Sequence, residues 1–341
     1  MKRHIILTGA VAIALTSCSN DEIKDVNPGK LIDFRAAVDT RAAETTTANL
    51  NEFQVTALDS RGDTYFSDVT FEKRVSYFSS EKFYYWPADK ALTFYAYSPS
   101  ADDLEATITI DNTTKSMTGF KVKETIADQQ DFITAVKTVA YSEEQNTPTL
   151  EFSHKLSQIE IWAKNENDSY VYKVKGIKIG QPVAAADFDF SSDSWTLKTD
   201  KAKYSETYET AITLSSEKKK IMGSGGNAML IPQQLTPWDY ISDKTNTNTG
   251  AYLSVYVNIQ TSEGTPIFPA VEEGETEPYS WVAVPVDTNW EAGIKYVYTL
   301  DFTGGAGVID PDEEGAGESV LGESFKFQVN ELKGWGDLIE L

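Results

Sequence analysis

The sequence predicts an all-β protein of two β-sandwiches in tandem, and three observations predict it. Short runs in which apolar and polar residues alternate recur along the chain, whereas few segments carry a helical apolar period. Aromatic residues make up 12% of the chain, with 17 Tyr and 16 Phe, and such rings suit the pleated faces of sheets. Gly, Pro, Asn and Asp break the runs at the short spacing of a sandwich. The length of 341 residues accommodates two domains, and Asn146-Thr147-Pro148-Thr149 offers a boundary between them.

The chain opens with Lys2 and Arg3, then an apolar run from Ile5 to Leu15 that is too short to span a bilayer. Leu15-Thr16-Ser17-Cys18 closes it in the pattern of a bacterial lipobox, where a small residue precedes a lipidated cysteine. Cys18 is the one cysteine of the chain, so a lipid anchor at this position is expected and no disulfide is. Ser19-Asn20-Asp21-Glu22 resembles a surface-export signal of some Gram-negative bacteria.

The next element reads as a strand with one buried face. Ile32, Phe34, Ala36 and Val38 alternate with Asp33, Arg35, Ala37 and Asp39. It runs directly into Arg41 and a soft Ala/Thr stretch, where a protease is expected to act. Further strands follow at Phe53–Leu58, Lys82–Trp86, Leu92–Tyr97, Ala106–Ile110 and Asp131–Ala135. In the second half they fall at Gln158–Ala163, Tyr170–Ile179, Tyr252–Ile259, Trp281–Val286 and Lys295–Phe302. Within Tyr252–Ile259, Leu253, Val255, Val257 and Ile259 face one way, the pattern of a sheet with one wet face. Residues 304–323 are Gly-rich and acidic with little to bury, which predicts a flexible loop. The chain ends with another strand, Ser324–Asn330, whose apolar face is Phe325, Phe327 and Val329.

The net charge of −22 excludes nucleic acid, which needs clustered Lys and Arg, and a polybasic hold on lipid. No cofactor is expected. His154 is the one histidine beyond the targeting segment, so a multi-His metal site is not possible. It reads as a strand residue whose ring nitrogen bonds to backbone. Gly223-Ser224-Gly225-Gly226 lacks the Lys of a phosphate loop and reads as a turn. Asp310, Asp312, Glu314 and Gly315 imitate the first half of a calcium loop. The twelfth position is Leu321, so the bidentate Glu is missing and a solvated acidic linker is expected. Acidic pairs are too frequent to single out a catalytic carboxylate, and no enzyme is expected.

Several signatures then occur in order: Tyr85-Trp86-Pro87, Leu92–Pro99, Leu150–Ile161, Ala228–Leu235, Trp290–Phe302 and Val329–Trp335. With the lipobox, they resemble the fimbrillin family, the type V pilins of Gram-negative anaerobes. The resemblance implies that the two sandwiches are transthyretin-like. It also implies export as a lipoprotein through Cys18 and cleavage by an Arg-specific protease between Arg41 and Ala42. The strand carrying Ile32, Phe34, Ala36 and Val38 would then be a displaced plug. A donor strand with Phe325, Phe327 and Val329 would complete the next subunit.

The expected organisation is a signal peptide at 1–18, a propeptide at 19–41, an N-terminal sandwich at 42–147 and a C-terminal sandwich at 148–341. The last holds the loop at 304–323 and the donor strand at 324–341. The expected partners are other pilin subunits, the maturation protease, the outer membrane through the lipid during export, and a host or bacterial surface receptor. The expected location is the outer membrane, then an extracellular fimbria. A stalk subunit is favoured. A tip or accessory adhesin, and a permanently anchored lipoprotein that binds glycan or host protein, are the alternatives.

Overall fold

A computed structural model of the chain describes residues 26–38, 45–88, 90–140, 147–271, 273–274, 277–322 and 326–333. Among the described residues there is no α-helix, only two single-turn 3-10 segments. The fold is all-β. The strands of the first part are β1 (Val26–Leu31), β2 (Arg35–Val38), β3 (Glu52–Asp59), β4 (Thr64–Lys73), β5 (Phe78–Ser79), β6 (Tyr85–Pro87), β7 (Ala91–Ser98), β8 (Thr107–Ile110), β9 (Lys115–Lys121), β10 (Ile133–Ala140) and β11 (Thr149–His154). Those of the second are β12 (Ser157–Lys164), β13 (Tyr170–Val183), β14 (Ala185–Asp189), β15 (Ser194–Leu197), β16 (Lys201–Thr213), β17 (Lys219–Lys220), β18 (Ala228–Leu230), β19 (Tyr252–Thr261), β20 (Pro266–Phe268), β21 (Ser280–Pro285), β22 (Ile294–Asp301), β23 (Val308–Ile309) and β24 (Lys326–Lys333).

Two cores organise these strands. The first lies against a seven-stranded sheet of order β2-β11-β10-β7-β3-β4-β5, with the β1-β6 pair beside it. Alternate residues of its strands, such as Phe53, Val55 and Ala57 or Leu92, Phe94 and Ala96, supply the interior. β11, which follows the expected boundary near Asn146–Thr149, pairs with β10 and β2 in this sheet. The chain passes from it to the next sheet between His154 and Ser157.

That crossing is pinned by polar contacts. His154 Nδ1 lies 2.9 Å from the carboxylate of Asp131, with both side chains buried. This differs from the backbone partner expected for His154. The reason is tertiary: Asp131, one residue ahead of buried Phe132, brings a carboxylate beside β11. Lys155 pairs with Asp193 at 2.6 Å, and Trp195 Nε1 donates to the Lys155 carbonyl at 2.7 Å. A four-stranded sheet of order β15-β14-β9-β8 draws its strands from both parts of the chain. Phe120, Phe132, Phe188 and Trp195 meet there with ring centroids 5.0–6.4 Å apart.

The second core lies between two sheets. One has the order β17-β12-β22-β24, with β12 and β22 parallel, and the other β16-β13-β19-β21-β23. Ile159, Ile161, Tyr298 and Leu300 of the first face Val174, Ile177, Val255 and Val257 of the second. On the outer side of β12, Glu160 is 5% exposed and lies 2.9 Å from Lys295 and 3.2 Å from Lys220. Burial alone would raise its carboxyl. Hydrogen bonds from Lys295 and Trp162 and the charge of Lys220 instead hold it down at about 2.

Residues 304–322, the described part of this segment, correct the expectation of a flexible, solvated loop over 304–323. They fold onto the outer face of the second sheet through β23, which pairs with β21, and through bridges at Gly305–Gly322 and Val308–Ser319. Asp310 is 0% exposed, and its two carboxylate oxygens each lie 3.0 Å from Lys178 Nζ. Ser254 donates to the same carboxylate. Lys178 also reaches Asp312 at 3.2 Å, and Lys203 reaches it at 2.5 Å. Burial alone would raise Asp312, but the Lys203 and Lys178 ammonium groups hold it below its usual range. An acidic run reads as solvated until a buried lysine from a distant strand supplies its counter-charge.

Candidate functional site

The segment expected as one first strand is split: β1 ends at Leu31, Ile32–Phe34 cross between two sheets, and β2 takes up Arg35–Val38. This segment, called the first strand below, enters the first core deeply. Ile32, Phe34 and Val38 are 1%, 0% and 8% exposed, and Ala36 is partly buried against the same core. Asp33, Arg35 and Ala37 point the other way, so the alternation visible in sequence is the alternation of burial. Phe34 is the centre of the contact. Its ring meets Phe71 edge-on at 4.8 Å and Phe94 at 4.9 Å, and Phe53 lies at 6.2 Å.

The backbone of this segment is bonded on two sides. Ile32 N–H donates to the Tyr84 carbonyl at 2.8 Å. Phe34 and Phe78 exchange hydrogen bonds of 3.0 and 2.7 Å. Arg35 N–H then donates to Pro148 at 2.9 Å, and the chain continues parallel to β11 with Ala36 opposite Leu150 and Val38 opposite Phe152. The segment thus crosses from the β6 side to the edge of the seven-stranded sheet. Removing it would expose a ring-lined slot together with the backbone groups of Phe78, Tyr84 and Pro148.

β24 is held differently. Among the described residues it pairs with β22 alone, antiparallel, with Phe327 opposite Leu300 and Val329 opposite Tyr298. Phe327 and Val329 are half-buried against the second core, and the Phe327 ring lies 5.9 Å from that of Tyr298. Lys326, Gln328 and Asn330 are exposed. Cys18, Arg41, Ala42 and Phe325 lie outside the described residues. The partners of the first strand were not singled out from sequence: Phe71, Phe78 and Phe94 alternate like any core strand residue, and only the tertiary fold gathers them on Phe34.

Among the described residues, no group of three or more His, Cys, Asp or Glu is arranged to hold a metal ion. No helix among them is long and apolar enough to cross a membrane.

Comparison with known proteins places this architecture. No curated protein matches the chain. A candidate cell adhesion protein from Bacteroides ovatus is 13% identical with a TM-score of 0.50, covering 91% of this chain and 99% of its own. One from Bacteroides uniformis is 13% identical with a TM-score of 0.49, covering 90% and 99%. One from Parabacteroides distasonis is 10% identical with a TM-score of 0.48, covering 89% and 99%. The family model described as fimbrillin-like matches residues 40–315, most of the length. The chain belongs to the fimbrillin-like family.

Proposed function

We propose that the chain is a non-enzymatic structural subunit of a surface fimbria, supporting adhesion or biofilm formation. It is exported as a lipoprotein through Cys18, reaches the outer membrane, and is cut between Arg41 and Ala42. The cut frees the first strand, and the slot accepts the C-terminal strand of another subunit, with Phe325, Phe327 and Val329 as its apolar face. A stalk position suits a chain with both a cut site and a donor strand. Membership of the fimbrillin-like family supports the general reading, and so does the adhesion named for the similar Bacteroides ovatus protein.

One observation carries the mechanism: a strand that precedes the expected cut fills a slot at the centre of the first core, with Phe34 fully buried. While tethered, such a strand re-inserts at an effective concentration of about millimolar. Cutting removes that advantage, and the slot becomes a template for strand addition.

The test is Arg41→Ala. It should leave a folded monomer, since the first strand remains covalently attached, and no SDS-resistant ladder should form after protease treatment. Ladders at wild-type level from this variant would sink the mechanism.

A further inference from the structure

We infer that the outer face of the second sheet carries a binding site for a neutral saccharide, stacked on Tyr256 and Trp281. Residues of four adjacent strands stand in one row across this face. Thr207 of β16 is opposite Gly176 of β13, Gly176 is opposite Tyr256 of β19, and Tyr256 is opposite Trp281 of β21. The Tyr256 and Trp281 rings lie 5.0 Å apart and inclined by 34°, and Tyr279 continues the array 5.5 Å from Tyr256 at 37°. All three are half-buried and line an open cleft of about 560 Å³. That volume is in the range of small-ligand sites.

The platform is built by a glycine. A Cβ on Gly176 would come 3.2 Å from Trp281 Cη2 and 2.7 Å from the Glu206 carbonyl oxygen. The missing side chain lets the indole lie down across β13. The neighbouring row, at Lys178, Ser254 and Ala283, is covered by the folded segment 304–322, so the cleft is the uncovered end of this face.

Charge selects the occupant. Lys178 Nζ stands 4.7 Å over the Trp281 ring, and Lys175 Nζ 4.8 Å over that of Tyr279. An incoming cation would meet two ammonium groups already facing the rings. Glu209 and Glu313 line the same cleft, so an anion would meet carboxylates. A neutral ligand remains. It meets apolar ring faces bordered by acceptors from Glu209 and Glu313, a donor from Lys175 and the Thr207 hydroxyl. A pyranose offers that combination, with an apolar C–H face and hydroxyls around its rim. An extended peptide is disfavoured, because β19 lies between β13 and β21 and its backbone groups are paired on both sides.

The site does not depend on polymerisation and is tested on the uncut chain. Full-length protein and its Arg41→Ala variant would be titrated by calorimetry with cellohexaose, laminarihexaose and yeast α-mannan. Polygalacturonate and decaproline serve as acidic and peptide probes. At least one neutral saccharide should bind both proteins alike, whether or not Arg41→Ala affects fibre assembly. Trp281→Ala should weaken that binding at least tenfold, or about 1.4 kcal/mol. Thr207→Arg, an exposed position that leaves every ring in place, should block it by filling the cleft. The inference is overturned if no neutral probe binds, if binding survives both substitutions, or if polygalacturonate or decaproline binds in a Trp281-dependent way.

Discussion

Replacing Phe34 by alanine isolates what the first strand contributes. Its ring is fully buried among Phe53, Phe71 and Phe94, so truncation removes apolar contact and leaves a cavity among rigid rings. Core Phe→Ala changes cost about 3–5 kcal/mol, and the full burial of Phe34, with edge contacts to Phe71 and Phe94, puts it in that range. Urea unfolding, followed by tryptophan fluorescence, reads the loss. Trp86 is buried in the same core, edge-on to Phe94 at 5.6 Å. With a urea dependence of about 1–3 kcal/mol per molar, the midpoint of the first core should fall by more than about 1 M. Arg35→Ala, an exposed neighbour, should stay within about 0.5 kcal/mol of wild type. In a chain cut after Arg41, a loss of about 3 kcal/mol should speed release of the strand by about two orders of magnitude. A Phe34→Ala chain that unfolds within about 1 kcal/mol of wild type, or no earlier than Arg35→Ala, refutes the reasoning.

Three further outcomes are expected. Phe327→Asp should block donor-strand addition, because an unpaired carboxylate would enter an apolar slot, whereas Lys326→Asp on the exposed face should assemble nearly as wild type; fibre assembly after protease treatment compares them. Glu160, held at about 2 against an ordinary 4.5, stabilises the fold fully above pH 4.5 and loses that contribution as pH falls through about 2. The difference is about 3 kcal/mol, and Glu160→Gln should flatten the stability–pH curve between pH 4.5 and 2 in acid titrations followed by circular dichroism. Lys178→Met should cost about 3–5 kcal/mol in thermal unfolding by leaving Asp310 buried and uncompensated, while adding Asp310→Leu should recover most of that loss.

The strands were legible because burial on one face writes itself as alternation. Leu253, Val255, Val257 and Ile259 are all fully buried, as their spacing says, but the expected wet face is not wet: Tyr252, Ser254 and Asn258 are buried too, with Trp238 packed over Tyr252 and the segment carrying Asp310 over Ser254. The same rule found the buried residues Ile32, Phe34 and Val38, but not the break between β1 and β2 that carries Phe34 from one sheet to the next. It did not find β16 (Lys201–Thr213), whose core-facing positions Ala202, Tyr204 and Tyr208 are interrupted by Glu206, so the apolar period is weak in sequence. Nor did it read residues 304–323. Acidic residues look solvated in one dimension, and the neutralising Lys178 lies 132 positions away. The sheet of β8, β9, β14 and β15 was hidden for a similar reason, since pairing Phe120 with Ala186 joins segments that sequence reading assigns to separate sandwiches. The aromatic cleft could have been suspected from Gly176 in a strand of β-branched and charged residues, which marks a close approach by another group.

The two strands proposed to exchange share one pattern, an apolar residue at every second position, so sequence cannot rank them. Their settings do. The first is bonded toward β6 on one side and β11 on the other, and it buries Ile32 and Phe34 completely. Among the described residues β24 has one ladder, and it leaves Phe327 half exposed. A slot that hides Phe34 entirely would hide Phe327 more fully than β22 does, and each ring fully buried is worth about 1.5–3 kcal/mol relative to exposure. In the proposed exchange that gain is set against the burial Ile32, Phe34 and Val38 lose as the first strand leaves. What opposes the exchange is therefore the first strand itself, held by its own buried residues and, while tethered, by a high effective concentration. In the proposed mechanism, cutting at Arg41 removes the tether's share of that advantage. A protease would then decide when assembly begins by removing the tether.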